Sequence, residues 1–505
     1  MHHGFGSIDR GLRAQWARAS SCALALALAL ALALLMSVVP PAARAGAGPP
    51  PRTGSPAGVI SAQRTPASPA AAGGASGFTH VRTLDRIEEY RLDSNGLTVL
   101  LLPDHSAPVV TFQVTYQVGS RNEVTGTTGA THILEHMMFK GSEAFNDAKG
   151  NSIKQYLEGV GGQYNASTSF DRTNYFATLG RDNLEGYVAI EADRMRHLWL
   201  HESDRQSEMT VVRNEYERGK NDPDNVLFEE VMEAAYVALP YHHPTIGWKS
   251  DIEHVPITKL REFYDTFYWP NNTTVTVVGD IAPDAVLAMI KKYYGGYPHS
   301  PAPIPAIYTE EPAQSGERRV TVKRPGEVGS VIIAHKVPNG RDADQPALDV
   351  LDAILSSGKN ARLYRALVDQ GVALNAGAGT DLLHDLSLHT VYAMLAPGAT
   401  HAQVEKTLLA EIAKVKTDGV TAAEVERVKQ QYIAADAYKR DGTAAVAAEL
   451  NEWIAVGDWT LYVTFPQKVL TVTPADVQRV AVKYLAEDEA TIGWFVPVPA
   501  GEKKS

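Results

Sequence analysis

Cysteine is almost missing. Cys22 is the single one in 505 residues, and it lies inside a segment that reads as an export signal. A processed chain would carry no thiol, which excludes disulfide scaffolding and cysteine-based catalysis. Positive charge is also short: 47 Lys and Arg face 58 Asp and Glu, for a net charge of −11. Residues 1–45 hold four arginines against one aspartate, so the body is more acidic than the whole. That balance argues against nucleic acid or an anionic membrane as the main partner. Long hydrophobic runs are confined to Ala23–Val39, near the lower limit for spanning a bilayer. Basic residues precede this run and Ala43-Arg44-Ala45 follows it, the pattern of a cleavable signal peptide over 1–45. An uncleaved membrane anchor is the alternative. Cys22 stands before the apolar run, which argues against a lipoprotein anchor. The expected location is outside the cytoplasm, in a bacterial periplasm.

From 46 to 77 the chain is Ala, Pro, Gly and Ser with scarcely any large apolar residue, a composition that buries too little to order itself. This stretch reads as a tether. Beyond it, Asn95-Gly96 between two strand-like runs predicts a hairpin. Val109–Val118 reads as a strand, Thr128–Phe139 and Asn183–Trp199 as helices, and Tyr164–Leu179 as a strand pair. Periodicity breaks at 296–317, where Pro298, Pro301, Pro303 and Pro305 mark a linker. Strands and helices then restart in a similar order from Arg318. The reading is an α+β chain of two similar domains, 78–295 and 318–505, each a mixed sheet covered by helices and related as an internal repeat.

One segment carries chemistry. In Thr131-His132-Ile133-Leu134-Glu135-His136-Met137-Met138-Phe139 the two histidines are four apart, so a helix projects both imidazoles from one face toward a single zinc ion. Glu135 shares that face, while Ile133, Leu134, Met137 and Met138 would bury the helix. Thr127 or Thr128 is the expected N-cap. H-x-x-E-H is the inverted zinc-peptidase signature. Its histidines would be metal ligands. Glu135 suits the role of general base, taking a proton from water and passing it to the leaving amine. A solvated helix with two histidines and a glutamate by chance is the bland alternative.

Gly129–Glu143 (GATHILEHMMFKGSE) resembles the zinc helix of the pitrilysin/insulinase family, which includes the mitochondrial processing peptidases. Glu208-Met209-Thr210-Val211-Val212-Arg213-Asn214-Glu215 is similar to that family's third-ligand helix. The resemblance implies a zinc-dependent endopeptidase with one Zn2+ per chain, held by His132, His136 and Glu215. Glu208, two helical turns before Glu215, would orient a metal-bound imidazole. Gly161–Thr168 resembles the family's substrate-facing edge strand, which places Asn165 and Ala166 nearest the scissile bond of a peptide or unfolded segment. Glu217, His242 and His243 are read as surface or loop residues.

The resemblance also implies a two-chain chamber, and there the pattern departs. The family's arginine, with a tyrosine seven residues on, falls here at Leu367 or Val368 and at Leu374 or Asn375. A second family subunit supplying the Arg/Tyr pair, in a heterodimer, is the expected remedy, and a homodimer without it the other. The competing functional classes are a non-catalytic assembly subunit and a zinc-storing protein.

Overall fold

The computed structural model describes residues 76–499. The signal-like segment 1–45 and residues 46–75 of the tether lie outside the described residues. Runs rich in Val, Leu and Thr become β1 (Phe78–Leu84), β2 (Ile87–Leu92), β3 (Thr98–Pro103), β4 (Val109–Tyr116), β5 (Gln163–Thr168), β6 (Thr173–Gly180) and β7 (Thr273–Gly279). The second half gives β8 (Arg318–Pro325), β9 (Ser330–Val337), β10 (Ala373–Thr380), β11 (Ser387–Leu395) and β12 (Thr491–Val498). Helices of the first half are α1 (Ala130–Met137), α2 (Ile153–Gly159), α3 (Leu184–Arg196), α4 (Glu202–Lys220), α5 (Pro223–Ala235), α6 (Lys249–His254), α7 (Ile257–Phe267) and α8 (Pro283–Tyr294). Those of the second are α9 (Gln345–Ser356), α10 (His401–Asp418), α11 (Ala422–Lys439), α12 (Thr443–Val456), α13 (Leu461–Thr471) and α14 (Pro474–Tyr484). Among the described residues no helix is long and apolar enough to cross a membrane.

The first sheet runs β1-β2-β3-β7-β4-β6-β5 and the second β10-β11-β9-β12-β8. β3 is parallel to β7, and β4, β6 and β5 follow antiparallel. β8 is likewise parallel to β12, and β9, β11 and β10 follow antiparallel. The five-strand order is therefore the same in both halves, with β8 to β12 standing for β3 to β7. The repeat is one of topology. The expected α+β layers, two mixed sheets covered by helices, are what the chain forms.

The hairpin at Asn95-Gly96 also forms, but not as a two-residue turn. Leu92 N–H donates to Leu97 O, and only Gly96 takes a positive φ, +80°. The Asn95 amide donates to Tyr294 O and Tyr297 O, while its side-chain oxygen accepts Leu97 N–H, so Asn95 pins the turn to the end of α8.

The central strands of each sheet are buried on both faces because the halves exchange a helix. On β4, Phe112, Val114 and Tyr116 enter the core shared with α1 and α3, while Thr111, Gln113 and Thr115 point the other way. Those three bond to Thr443, to Ala447 O and to Asn451, all on α12 of the second half. Conversely α5, from the first half, packs on β8, β9 and β12. Gly493 allows that approach, since a Cβ there would lie 2.4 Å from Val231 Cγ2. This double coverage explains the unbroken apolar run on β3: Val99 and Leu101 serve one core, Leu100 and Leu102 the other. Residues 296–317 hold no helix or strand. Glu311 nevertheless fixes them, accepting the N–H groups of Val237, Ala238 and Leu239 and pairing with Lys336.

Candidate metal centre

Local rules bring His132, Glu135 and His136 to one face of α1, and the fold supplies the rest. The helix starts at Gly129, whose φ is +85° and whose Cβ, if it had one, would lie 2.5 Å from Ile246 O. The expected threonine cap is not what the structure uses. The Glu123 carboxylate, fully buried, accepts the N–H groups of Gly129 and Thr131, both at 2.7 Å. Thr128 instead donates its hydroxyl to Asp251, 2.8 Å away, because the lead-in loop is folded against α6. A carboxylate at a helix N-terminus is favoured over a hydroxyl by the helix dipole. Burial pushes Glu123 up to about 8 in spite of the bonds from Thr131 and Gly129. At the other end, Arg194 donates to Met138 O and lies over the rings of Phe139 and Tyr175. Its charge is matched by Glu191, and both side chains are buried.

Helix α4 packs beside α1 and carries Glu208 and Glu215 to it, two turns apart. His132 Nε2 and His136 Nε2 lie 3.3 Å apart, and Glu215 Oε2 is 3.5 Å from each. These are the edges of a nearly equilateral triangle. Tetrahedral zinc with ligands at about 2.0–2.1 Å needs donor atoms about 3.4 Å apart. The three atoms thus match one face of such a tetrahedron and leave its fourth corner open. Glu215 Oε2 is buried without a hydrogen-bond partner, which an arriving cation would repair. On the chemistry of this donor set, the residues fit zinc. Among the described residues it is the one grouping of three such side chains close enough to share a metal ion.

Glu208 bonds to one of the two imidazoles. Its Oε2 lies 2.9 Å from His136 Nδ1, accepting that N–H and leaving Nε2 free to face the triangle. Its other oxygen pairs with Lys140. Burial alone would raise Glu208, but His136 and Lys140 outweigh it and hold the carboxyl below its ordinary value. Burial pulls His136 down, yet the bond to Glu208 and the nearby Glu215 and Glu135 carboxylates hold it up at about 10. The surroundings favour positive charge there. His132 is held well below its usual value, by burial and then by His136, and its Nδ1 has no partner. Only one of the two imidazoles is therefore oriented by a side chain.

Glu135 is buried, and burial raises its carboxyl above the ordinary range against the pull of His136 and Thr168. Thr168 Oγ1 donates to Glu135 Oε2 at 2.5 Å. Sequence reasoning missed Thr168, Lys140 and Glu123; only their place in the fold reveals them. Asn165 and Ala166 lie on β5, which among the described residues pairs only with β6 and so ends the sheet. Ala166 N–H is taken by the Asn165 side-chain oxygen at 2.9 Å. The β5 side chain bonded to Glu135 is Thr168, two residues beyond the expected pair. Glu217 makes an exposed ion pair with Lys249. His242 and His243 bond to backbone in their own loop, as loop residues would. At the departed Arg/Tyr positions Leu367 is buried under the second sheet and Leu374 is exposed.

The chain is similar to known proteins along most of its length. Residues 98–248 match the family model described as insulinase (peptidase family M16), and residues 254–432 match the one described as the peptidase M16 inactive domain. The zinc protease PqqE of Helicobacter pylori is 31% identical over 408 residues, covering 80% of this chain and 91% of the relative. The crystal structure of a protease from Helicobacter pylori superposes with a TM-score of 0.78 at 31% identity, over 82% of this chain and all of that one. A probable mitochondrial-processing peptidase subunit beta from Arabidopsis thaliana is 24% identical over 415 residues, covering 80% of this chain and 77% of the relative. With both family models matched in order and a relative this similar along nearly its whole length, the chain belongs to the insulinase family of peptidases, M16.

Proposed function

We propose that this chain is a zinc-dependent endopeptidase that hydrolyses extended peptides or unfolded protein segments. The observation that carries the reading is the triangle of His132 Nε2, His136 Nε2 and Glu215 Oε2, with the Glu135 carboxylate on the same helix face. Zinc held by those three residues would polarise the scissile carbonyl and lower the pKa of water to about 7. Glu135, buried and with a raised pKa, is suited to take a proton from the attacking water and deliver it to the leaving amine. Glu208 keeps His136 in the tautomer that ligates. The free edge of β5 offers backbone groups to which a peptide adds as a further strand, beside Asn165 and Ala166.

The same reading makes the protein an exported one, acting in the periplasm after loss of 1–45 or anchored by it. It divides the chain into the zinc-bearing domain 78–295, the linker 296–317 and the C-terminal domain 318–505. It also calls for a partner. The second half lacks the Arg/Tyr pair, and the Arabidopsis relative is named as a subunit. A second family chain is proposed to lend those groups, in preference to a homodimer. The non-catalytic subunit is the rival, since the C-terminal match is to a domain described as inactive. The test is peptide cleavage by the zinc-loaded protein, alone and mixed with a candidate partner, beside Glu135→Gln. Turnover lost in Glu135→Gln supports the peptidase; zinc bound at one per chain with no turnover under either condition supports the rival.

A further inference from the structure

The bond between Thr168 and Glu135 joins two parts of the site that the sequence treats separately. Thr168 ends β5, the strand whose outer edge would take the peptide, and it faces α1 across the first core. Among the described residues, it supplies the side-chain hydrogen bond that Glu135 receives. A carboxylate held by one donor on Oε2 presents Oε1 in a fixed direction. Thr is β-branched and stiff at χ1, so its hydroxyl is a well-defined anchor.

The anchor is itself held from behind. Thr168 pairs with Thr173 across the β5–β6 turn. Within that turn Ser169 O and Phe170 O accept the N–H groups of Ser120 and Arg121. Asp171 accepts the Tyr241 hydroxyl at 2.7 Å and the His384 N–H at 3.0 Å, the latter from the second half. Arg172 donates to Ser167 Oγ at 2.7 Å, to Asn174 Oδ1 at 2.8 Å, and to Glu452 Oε1 on α12 at 2.6 Å. Both halves therefore fix the turn that fixes Thr168.

We propose that Thr168 is a positioning residue for the peptidase reaction: its hydroxyl sets the direction of the Glu135 carboxylate and ties it to the strand that binds the peptide. A peptide adding to β5 stiffens the strand, and the bond carries that order to the base. The second half contributes to the reaction through the turn at 169–172, whether or not it lends groups to the substrate. This inference rests on the proposed function.

The experiment compares Thr168→Val, which removes the hydroxyl at nearly constant shape, with Thr168→Ser, which keeps it. Each variant is measured for kcat and KM on one quenched peptide, for zinc per chain, and for peptide affinity in a Glu135→Gln background, where nothing is cleaved. Misdirecting a base costs about tenfold to a hundredfold in rate. The expectation is a kcat loss of that size in Thr168→Val, with KM, zinc content and peptide affinity unchanged, and recovery of most of the rate in Thr168→Ser. A Val variant with wild-type kcat overturns the proposal and leaves the peptidase standing. A Ser variant as slow as Val, or a Val variant that loses zinc, also overturns it, because the hydroxyl would then be incidental or merely structural. A wild-type protein with no turnover beside any partner removes the reading underneath, and this inference with it.

Discussion

Removing the Glu208 carboxylate tests how the site is built without touching a ligand. Glu208 Oε2 holds His136 Nδ1 at 2.9 Å, and Lys140 pairs with its other oxygen. In Glu208→Ala the His136 ring loses its fixed tautomer and orientation, and the site loses one negative charge close to where a metal ion would be held. Loss of such an outer partner weakens metal binding by about 10- to 100-fold, equivalent to about 1.4–2.7 kcal/mol at 1.36 kcal/mol per tenfold. Lys140 is itself partly exposed and can turn to solvent, so little of the effect comes from stranding it. Glu208→Gln retains an amide oxygen that can still accept the Nδ1–H, so its loss is expected to be smaller than that of Ala. The assay is competition for zinc against a chromophoric chelator, with folding checked by circular dichroism. An Ala variant that is folded and binds zinc as tightly as wild type would refute the assignment of Glu208 as the orienting group.

Three further outcomes follow from the supports of α1 and from the second sheet. Glu123→Ala strips two buried N–H groups of their acceptor and is expected to cost about 2 kcal/mol, read as a lower urea midpoint. Arg194→Met leaves Glu191 buried and uncompensated; a loss of about 3–5 kcal/mol is expected by the same assay, and an unchanged midpoint would contradict it. His335, on β9 opposite His389 of β11 (itself paired with Asp352) and facing Lys416, is held down at about 3, first by burial and then by His389. The unfolded chain takes up that proton near the ordinary value of 6.5 and the folded one does not. Stability contributed by neutral His335 is therefore full above about pH 6.5 and falls as pH drops, by about 2.7 kcal/mol at two units below. His335→Leu should flatten that part of the urea-midpoint profile against pH, and an unaltered slope would count against the assignment.

What could be read from the sequence follows the range of the interactions involved. His132, Glu135 and His136 are a local pattern, so helical periodicity alone brings them together. Glu215 and Glu208 lie on another helix, and no local rule joins them to α1; resemblance reaches them, and the geometry then places one at the metal triangle and the other on His136. The cap of α1 departs from expectation for a physical reason. Thr128 is adjacent in sequence, but the fold turns it toward Asp251 and brings a buried carboxylate to the helix end. Thr168 could not be found locally either, because its bond to Glu135 exists only when β5 and α1 share a core. The exchange of α5 and α12 between halves is equally hidden. An amphipathic helix advertises that it has an apolar face, not which sheet will cover it.

That exchange gives the second half a structural part in the first sheet. Its α12 covers the reverse face of the first sheet, and its Glu452 and His384 reach the turn behind Thr168. Removing the second half would expose Thr111, Gln113 and Thr115 along with the apolar residues Ile87, Leu100 and Leu102. The first sheet is built to need it.

The most direct test of the account is zinc-dependent cleavage of an unstructured peptide by the protein from about residue 46 onward, beside Glu135→Gln. One zinc per chain in both proteins, with turnover in wild type that Glu135→Gln abolishes, is the predicted result. Turnover that survives in a zinc-loaded Glu135→Gln would contradict the role given to Glu135, and a wild-type chain that binds no zinc would contradict the metal centre itself.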